Sequence, residues 1–391
     1  MKLFQRLLIA PAALGLISPI AANATEVNLN EIENYSNSEN IEFVNSFDDN
    51  DLNKTPLLAG GEGLVDKDSY DGGFSETTTA AFSVDFAIGA VDGSGITTTD
   101  TDGDEVLQAT YGFQIDLSTS FTGEDSLDIS LDAGNSNGTL TEFDLNAPAT
   151  VDALTVDGIS YTFPLGSATA FVADNGDGSA LFTTACVYGG PSNTLDDCGN
   201  VTAGITSGGL AIGAAYDFDN GFTTAFGAQF IESSIGTVGS ADSWAANVAY
   251  TTDSYGASIS DAVVEDGTNN DSYTASNGYY SFDNGLNISA GYEVGDLDGH
   301  VAASDETEAY FIGVNGEVGP GELGAAVGTY GKMLEASGTM PERMMYEVYY
   351  SYAVNDGMTI TPLIYTVEAG DVNTTGDKDE TGIMVKTSFS F

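Results

Sequence analysis

Basic residues are scarce in this chain. It carries 8 Lys and Arg against 59 Asp and Glu, a formal net charge of −51. That balance excludes nucleic acid as a partner, because phosphate binding needs clustered Lys and Arg. Histidine is nearly absent as well. The one copy, His300, lies in "GDLDGH", so no Ser-His-Asp constellation can form. Paired carboxylates are plentiful, but so acidic a chain yields them without selection. No catalytic residue is assigned, and no metal or cofactor is expected. Cysteine is limited to Cys186 and Cys198. With no histidine near them in sequence they read as a disulfide in an exported protein rather than as a metal pair. Long apolar runs are missing too. Past residue 24 no stretch reaches 18 consecutive apolar residues, so no membrane-spanning helix is predicted. High charge with few basic residues can signal disorder. A hydrophobic content of 42%, with 19 Tyr and 20 Phe, argues against it for most of the chain.

The N-terminus has its own pattern. "MKLFQR" places Lys2 and Arg6 ahead of the apolar run "LLIAPAALGLISPI", and Ala22, Asn23 and Ala24 supply a small-x-small cleavage site. Residues 1–24 therefore read as a secretory signal peptide. Residues 25–73 are acidic and Asn-rich without a strong period, and read as a periplasmic segment or linker.

From residue 74 to 391 the dominant signal is period-2 alternation in pieces of about ten residues, the length of a barrel-spanning strand. Sixteen such pieces are predicted, at 79–91, 106–121, 126–134, 152–163, 167–173, 203–217, 221–232, 242–251, 254–264, 271–282, 285–295, 306–317, 321–332, 343–355, 357–369 and 379–391. Their connections alternate between two kinds. One kind is tight, as in "TGED", "PLGS", "FDNG" and "VGPG", whose Asx-Gly and Pro-Gly pairs suit sharp turns. The other is long, polar and Asp-rich. An even number of strands with short turns at one end and long loops at the other predicts an all-β fold, a 16-stranded antiparallel transmembrane β-barrel. A soluble β-sandwich also alternates, but has no reason to segregate its loops in this way.

The two faces of the strands differ in charge. One parity reads Phe82, Val84, Phe86, Ile88; another Tyr346, Val348, Tyr350, Tyr352. The opposite parity carries Asp85, Asp116, Asp128, Asp132, Asn247, Glu293, Glu347 and Lys386. A Lys or Arg facing lipid at mid-membrane costs roughly 2–4 kcal/mol, and Asp or Glu less. The charged parity is therefore predicted to face the lumen. Aromatic residues beside the tight turns, Phe121, Phe163, Tyr216, Tyr250, Phe282 and Phe389 among them, fit an interfacial girdle.

Two motifs have bland readings. "GPGELG" (Gly319, Gly321, Gly324) matches a dinucleotide-binding pattern, but no helix follows it, so it reads as a turn. "DTDTDGDE" (Asp100, Asp102, Asp104, Glu105) and "DNGDG" (Asp174, Asp177) lack the full ligand spacing of a calcium loop and read as solvated acidic loops. The connection at 174–202 is the longest and holds both cysteines. A disulfide closing that ring would contribute roughly 3 kcal/mol, and the stapled loop is predicted to fold into the lumen. Asp174, Asp177, Asp196 and Asp197 then become candidate constriction residues. Rings of carboxylates favour cations.

Several stretches together point to a family. "MKLFQRLLIAPAALGLISPIAANATEVNLNEIENYS", "GGFSETTTAAFSVDFAIGAVDG", "GISYTFPLGSATAFVA" and "ETGIMVKTSFSF" resemble the major outer-membrane porins of cyanobacteria, which are related to carbohydrate-selective porins. The resemblance implies a trimeric barrel in the cell outer membrane that passes ions and small solutes, with the third long loop as its constriction. It also implies that the closing strand, with Phe389 and Phe391, is what the barrel-assembly machinery recognises. One departure is large: of the S-layer-homology domain those porins carry, only "VNSFDDNDL" resembles the start. Two other functions compete with a cation-preferring diffusion pore. A carbohydrate-selective porin would use an aromatic slide, for which Tyr349 and Tyr365 are candidates. A structural or adhesin barrel would have a closed lumen.

Overall fold

The structure is a computed structural model that describes residues 78–92, 107–135, 140, 142–143, 145, 152–237, 239–265, 268–298, 305–334, 342–370 and 379–391. The predicted leader and acidic segment, the Asp100–Glu105 run and His300 lie outside the described residues. The described strands are β1 (Thr78–Asp92), β2 (Gln108–Thr119), β3 (Ser126–Gly134), β4 (Thr155–Leu165), β5 (Ala168–Asp174), β6 (Leu210–Asp217), β7 (Phe222–Phe230), β8 (Ser243–Thr251), β9 (Tyr255–Glu265), β10 (Asn270–Ser281), β11 (Leu286–Asp296), β12 (Glu306–Val318), β13 (Gly321–Thr329), β14 (Met333–Leu334), β15 (Met344–Asn355), β16 (Met358–Val367) and β17 (Glu380–Ser390).

Sixteen of these are barrel strands; β14 is a two-residue extension that pairs with Thr307 and Glu308 at the start of β12. It arises where Gly331, at φ +75°, breaks the piece predicted at 321–332. Every pairing is antiparallel, and β1 pairs with both β2 and β17, so the sheet closes on itself without an edge. At the seam Phe82 and Phe391 exchange backbone hydrogen bonds of 2.9 and 3.0 Å, and their rings stack at 5.6 Å.

Alternation decides the two faces, because successive side chains in a strand point to opposite sides. Outward positions are apolar and exposed: Phe86, Phe226, Val248, Ile259, Ile312, Val348 and Ile364 are each more than half exposed. Of the outward carboxylates near the long-loop end, Asp261 and Glu308 each take a hydroxyl. Thr274 donates to Asp261 at 2.8 Å, and Tyr292 to Glu308 at 2.8 Å. Aromatic pairs gather at the tight-turn end, including Tyr216–Phe218, Phe222–Tyr250 and Tyr280–Phe282, with ring centroids 4.6–4.7 Å apart. The first tight turn is held by one side chain. Asp125 accepts from Phe121 N, Thr122 N and Ser120 Oγ, and from the Tyr161 hydroxyl at 2.7 Å. These bonds, the tyrosine's foremost, hold its carboxyl well below the usual range.

The largest difference from the predicted strand boundaries is at the start of β6. The piece at 203–217 forms a strand only from Leu210. Ile205, Gly208 and Gly209 have positive φ, and Ala203 and Ile205 are buried inside the barrel beside Ala245, Ala262 and Tyr273. The apolar residues before Leu210 thus belong to the underside of a loop.

Candidate functional site

The loop between β5 and β6, residues 175–209, runs inside the barrel along one wall. Wall side chains meet its backbone. Asn247 of β8 accepts from Thr183 N at 3.1 Å and donates to Thr183 O at 3.2 Å. Ser258 of β9 and Ser289 of β11 accept from Ala185 N and Val187 N, at 2.8 and 3.1 Å. Asn277 of β10 donates to Cys198 O at 2.8 Å. Glu293 of β11 accepts from Thr202 N and Ala203 N, at 2.7 and 2.8 Å. Cys186 and Cys198 are joined within this loop.

Tyr188 of the loop reaches β12 and β15. Its ring lies 5.2 Å from Phe311 and 5.8 Å from Tyr349, and its hydroxyl donates to Glu347 at 2.5 Å. Around it an apolar cluster joins Leu195, Phe311, Met345, Leu363, Tyr365 and Met384 to Leu140, Phe143 and Leu145 of the preceding long loop. That loop meets the third one directly: Asn193 N donates to Glu142 O at 3.0 Å, and Phe143 bridges Ser192. Burial raises the Glu142 carboxyl above the ordinary range.

This arrangement corrects part of the pore-lining prediction. Glu293 and Glu347 stand on the inward parity, but they are 1% and 2% exposed. They lie under the third loop and hold it. Asp132 is likewise buried and accepts from Thr155 Oγ1 at 2.7 Å. Parity tells which way a side chain points; it says nothing of a loop that later covers it. Tyr349 and Tyr365 are also buried, with hydroxyls on Glu322 and Glu380 at 2.6 and 2.8 Å. They offer no surface on which a sugar could slide.

Across the lumen the wall formed by β17 and β1 to β4 is not sealed. Ser83, Asp85, Gln114, Asp116, Ser118, Asp128, Ser130, Lys386 and Ser388 are all half-exposed on the inward parity. Asp116 accepts from Gln114 Nε2 at 2.8 Å and from Ser130 Oγ at 2.7 Å. Asp128 accepts from Ser126 Oγ at 2.8 Å. Lys386 sets its ammonium 5.7 Å from the Phe143 ring.

The four acidic residues assigned to the third loop do not form one group. Asp174, the last residue of β5, and Asp177 line a cavity of about 540 Å³ with Asp128 and Asp157. Burial and Asp157 raise the Asp177 carboxyl. Asp196 and Asp197 sit on the turn before Cys198, which is docked on β10. Gly178, next to Asp177, lies against β7. Three strand spacings separate those walls, roughly 14 Å. Asp197 touches lumen water, yet enclosing protein, Asp196 and Glu293 push its carboxyl up to about 7. Sequence reasoning missed Asp157, and also Tyr188, Ser258, Asn277 and Ser289 as anchors. Inward parity was the one signal available for the strand residues, and Tyr188 carried none.

Among solved structures, the chain is similar to the anion-selective porin from Comamonas acidovorans, with 15% identity, a TM-score of 0.58 and coverage of 81% of this chain and 99% of that one. It is also similar to a triple mutant of the Rhodopseudomonas blastica porin, with 11% identity, a TM-score of 0.52 and coverage of 81% and 100%. These likenesses establish the fold: a closed sixteen-stranded barrel of the porin type. No protein-family model and no curated protein sequence matches the chain.

Proposed function

We propose that this protein is an outer-membrane channel for passive diffusion of ions and small hydrophilic solutes. The observation that carries this reading is the contrast of surfaces: a closed barrel with an apolar outside and, beside the folded-in loop, a polar inner wall left open. An apolar exterior on a barrel without edges suits a bilayer, where every backbone group must be satisfied internally. We further propose a preference for cations, because Asp85, Asp116 and Asp128 stand on the open wall with Lys386, and Asp177, Asp196 and Asp197 on the loop. Purified protein in a planar bilayer should give stepwise conductance, with a reversal potential favouring potassium over chloride. A potential favouring chloride would remove the cation reading and leave the channel.

The apolar cluster inside the barrel supports one rival, a structural barrel with a closed lumen; absence of any conductance step from folded protein would favour it. The proposal includes a cleaved leader at 1–24, an acidic periplasmic segment at 25–73, and assembly as a homotrimer in outer-membrane lipid. Phe389 and Phe391 are proposed as the segment read by the barrel-assembly machinery. Replacing Phe391 by Ser should lower the folded yield in the outer membrane, and an unchanged yield would discard that role.

A further inference from the structure

We infer that two wall glycines, Gly227 in β7 and Gly291 in β11, determine how wide the lumen stands open, by letting the third loop lie with its main chain directly on the wall. The inference rests on the channel reading and adds the residues that fix the channel's width.

Most of the wall's hydrogen bonds to the loop go to its backbone. Besides the bonds of Asn247, Ser258, Ser289, Asn277 and Glu293, Gln229 Nε2 donates to Gly176 O at 2.9 Å. Side chains add to this: Tyr188 bonds Glu347, Leu195 packs in the apolar cluster, and Ala203 and Ile205 pack beside Ala245, Ala262 and Tyr273. At Gly227 and Gly291 the wall offers no side chain, and the loop fills the vacancy. A Cβ on Gly227 would fall on the carbonyl oxygen of Gly178, and one on Gly291 on the carbonyl oxygen of Cys198. At Gly89 a methyl would first meet Ile383 O of the neighbouring strand β17 rather than the loop. At Gly313 and Gly324 the nearest atoms belong to aromatic rings, of Phe311 and Tyr188 or of Tyr349. A ring can turn; a carbonyl held at both sides cannot.

An alanine at either glycine must therefore move the loop's main chain. Ordinary contact lies near 3.5–4.0 Å, so the displacement is about 2 Å, directed away from the wall and into the open section.

The test compares Gly291→Ala and Gly227→Ala with Gly278→Ala. Gly278 lies on the outward parity of β10, where a Cβ would come 3.3 Å from Gly256 O, a contact relieved by a shift of a few tenths of an ångström and remote from the loop. The control carries the same gain in strand propensity. Heat-modifiable migration on gels reports a folded barrel. In planar bilayers Gly291→Ala should lower single-channel conductance by about twofold as the open section narrows, and polyethylene glycols of graded size should be excluded at a smaller size. Gly278→Ala should match wild type. Wild-type conductance and exclusion in both Gly227→Ala and Gly291→Ala would overturn the inference. If Gly291→Ala does not fold, Asn277→Ala carries the test, since it removes the bond to Cys198 O and adds no volume; open-channel noise should rise, and unchanged noise would overturn the proposal. If wild type conducts nothing, the channel reading fails by itself. The seat is then judged by an acid-specific protease, which should cut near Asp196 and Asp197 in folded Gly291→Ala and spare wild type; equal resistance would sink it.

Discussion

The two halves of the lumen wall have similar sequence patterns and opposite fates. On β8 to β15 the inward residues Asn247, Ser258, Asn277, Ser289, Glu293 and Glu347 are buried beneath the third loop. On β17 and β1 to β4 the inward residues Asp85, Asp116, Asp128 and Lys386 stay in reach of water. Both sets are polar and both alternate with apolar partners. The difference lies in what covers them. A carboxylate under the loop acts as an anchor, because burial demands that it find donors. The same group on the bare wall stays solvated and, on the proposed channel reading, is a charge beside the solute's path.

That comparison can be broken at its strongest point first. Tyr188→Ala removes the aromatic anchor from an apolar site, a change that costs about 3–5 kcal/mol for buried aromatics. It also strips Glu347 of its hydroxyl donor. Thermal or denaturant unfolding in detergent should show a large drop, and an unshifted midpoint would mean that the covered wall is not a packed core. Next comes the staple. Replacing Cys186 and Cys198 together by Ser should cost roughly 3 kcal/mol by the loop-entropy estimate, read in the same unfolding series; no loss would assign the loop's order to the wall contacts alone.

Charges on the bare wall should affect selectivity more than stability. Asp116→Lys changes the wall by two unit charges. At about 10 Å in a water-filled lumen each is worth about 0.4 kcal/mol, against the cation and in favour of the anion, so the cation-to-anion permeability ratio should fall about fifteenfold. High salt should shrink the effect, and an unchanged ratio would place the solute path elsewhere. The smallest effect is set by pH. Asp197 titrates near 7, above the ordinary carboxylate range, so it is neutral at pH 6 and charged at pH 8. Acidification across that window removes one negative charge and should lower the cation-to-anion preference by about fourfold. The sign for stability runs the same way: with the folded value raised, the loop is held best at low pH, and loses stability as pH rises from about 4 to 7. Asp197→Asn should abolish the pH step in selectivity.

Much of the architecture was legible in the chain. Alternation in ten-residue pieces located the barrel strands, because a strand with one face outside and one inside must alternate. Sequence reading failed where that period stopped carrying information. It extended one strand back to residue 203, since the loop segment at Ala203 and Ile205 is apolar for its own reason, burial against β9 and β10. It grouped Asp174 and Asp177 with Asp196 and Asp197, although the loop carries the two pairs to different walls. It treated Glu293, Glu347 and Asp132 as pore lining, because parity was all it had.

By itself, then, the sequence determined that this protein is a closed all-β barrel, apolar outside and acidic within, since strand periodicity and turn chemistry are local properties that a chain states residue by residue. Only the tertiary structure decided which acidic residues face open lumen and which serve as anchors. That outcome depends on where a loop of more than thirty residues comes to rest, and it rests where Gly227 and Gly291 leave room for its backbone and where buried side chains answer its amides.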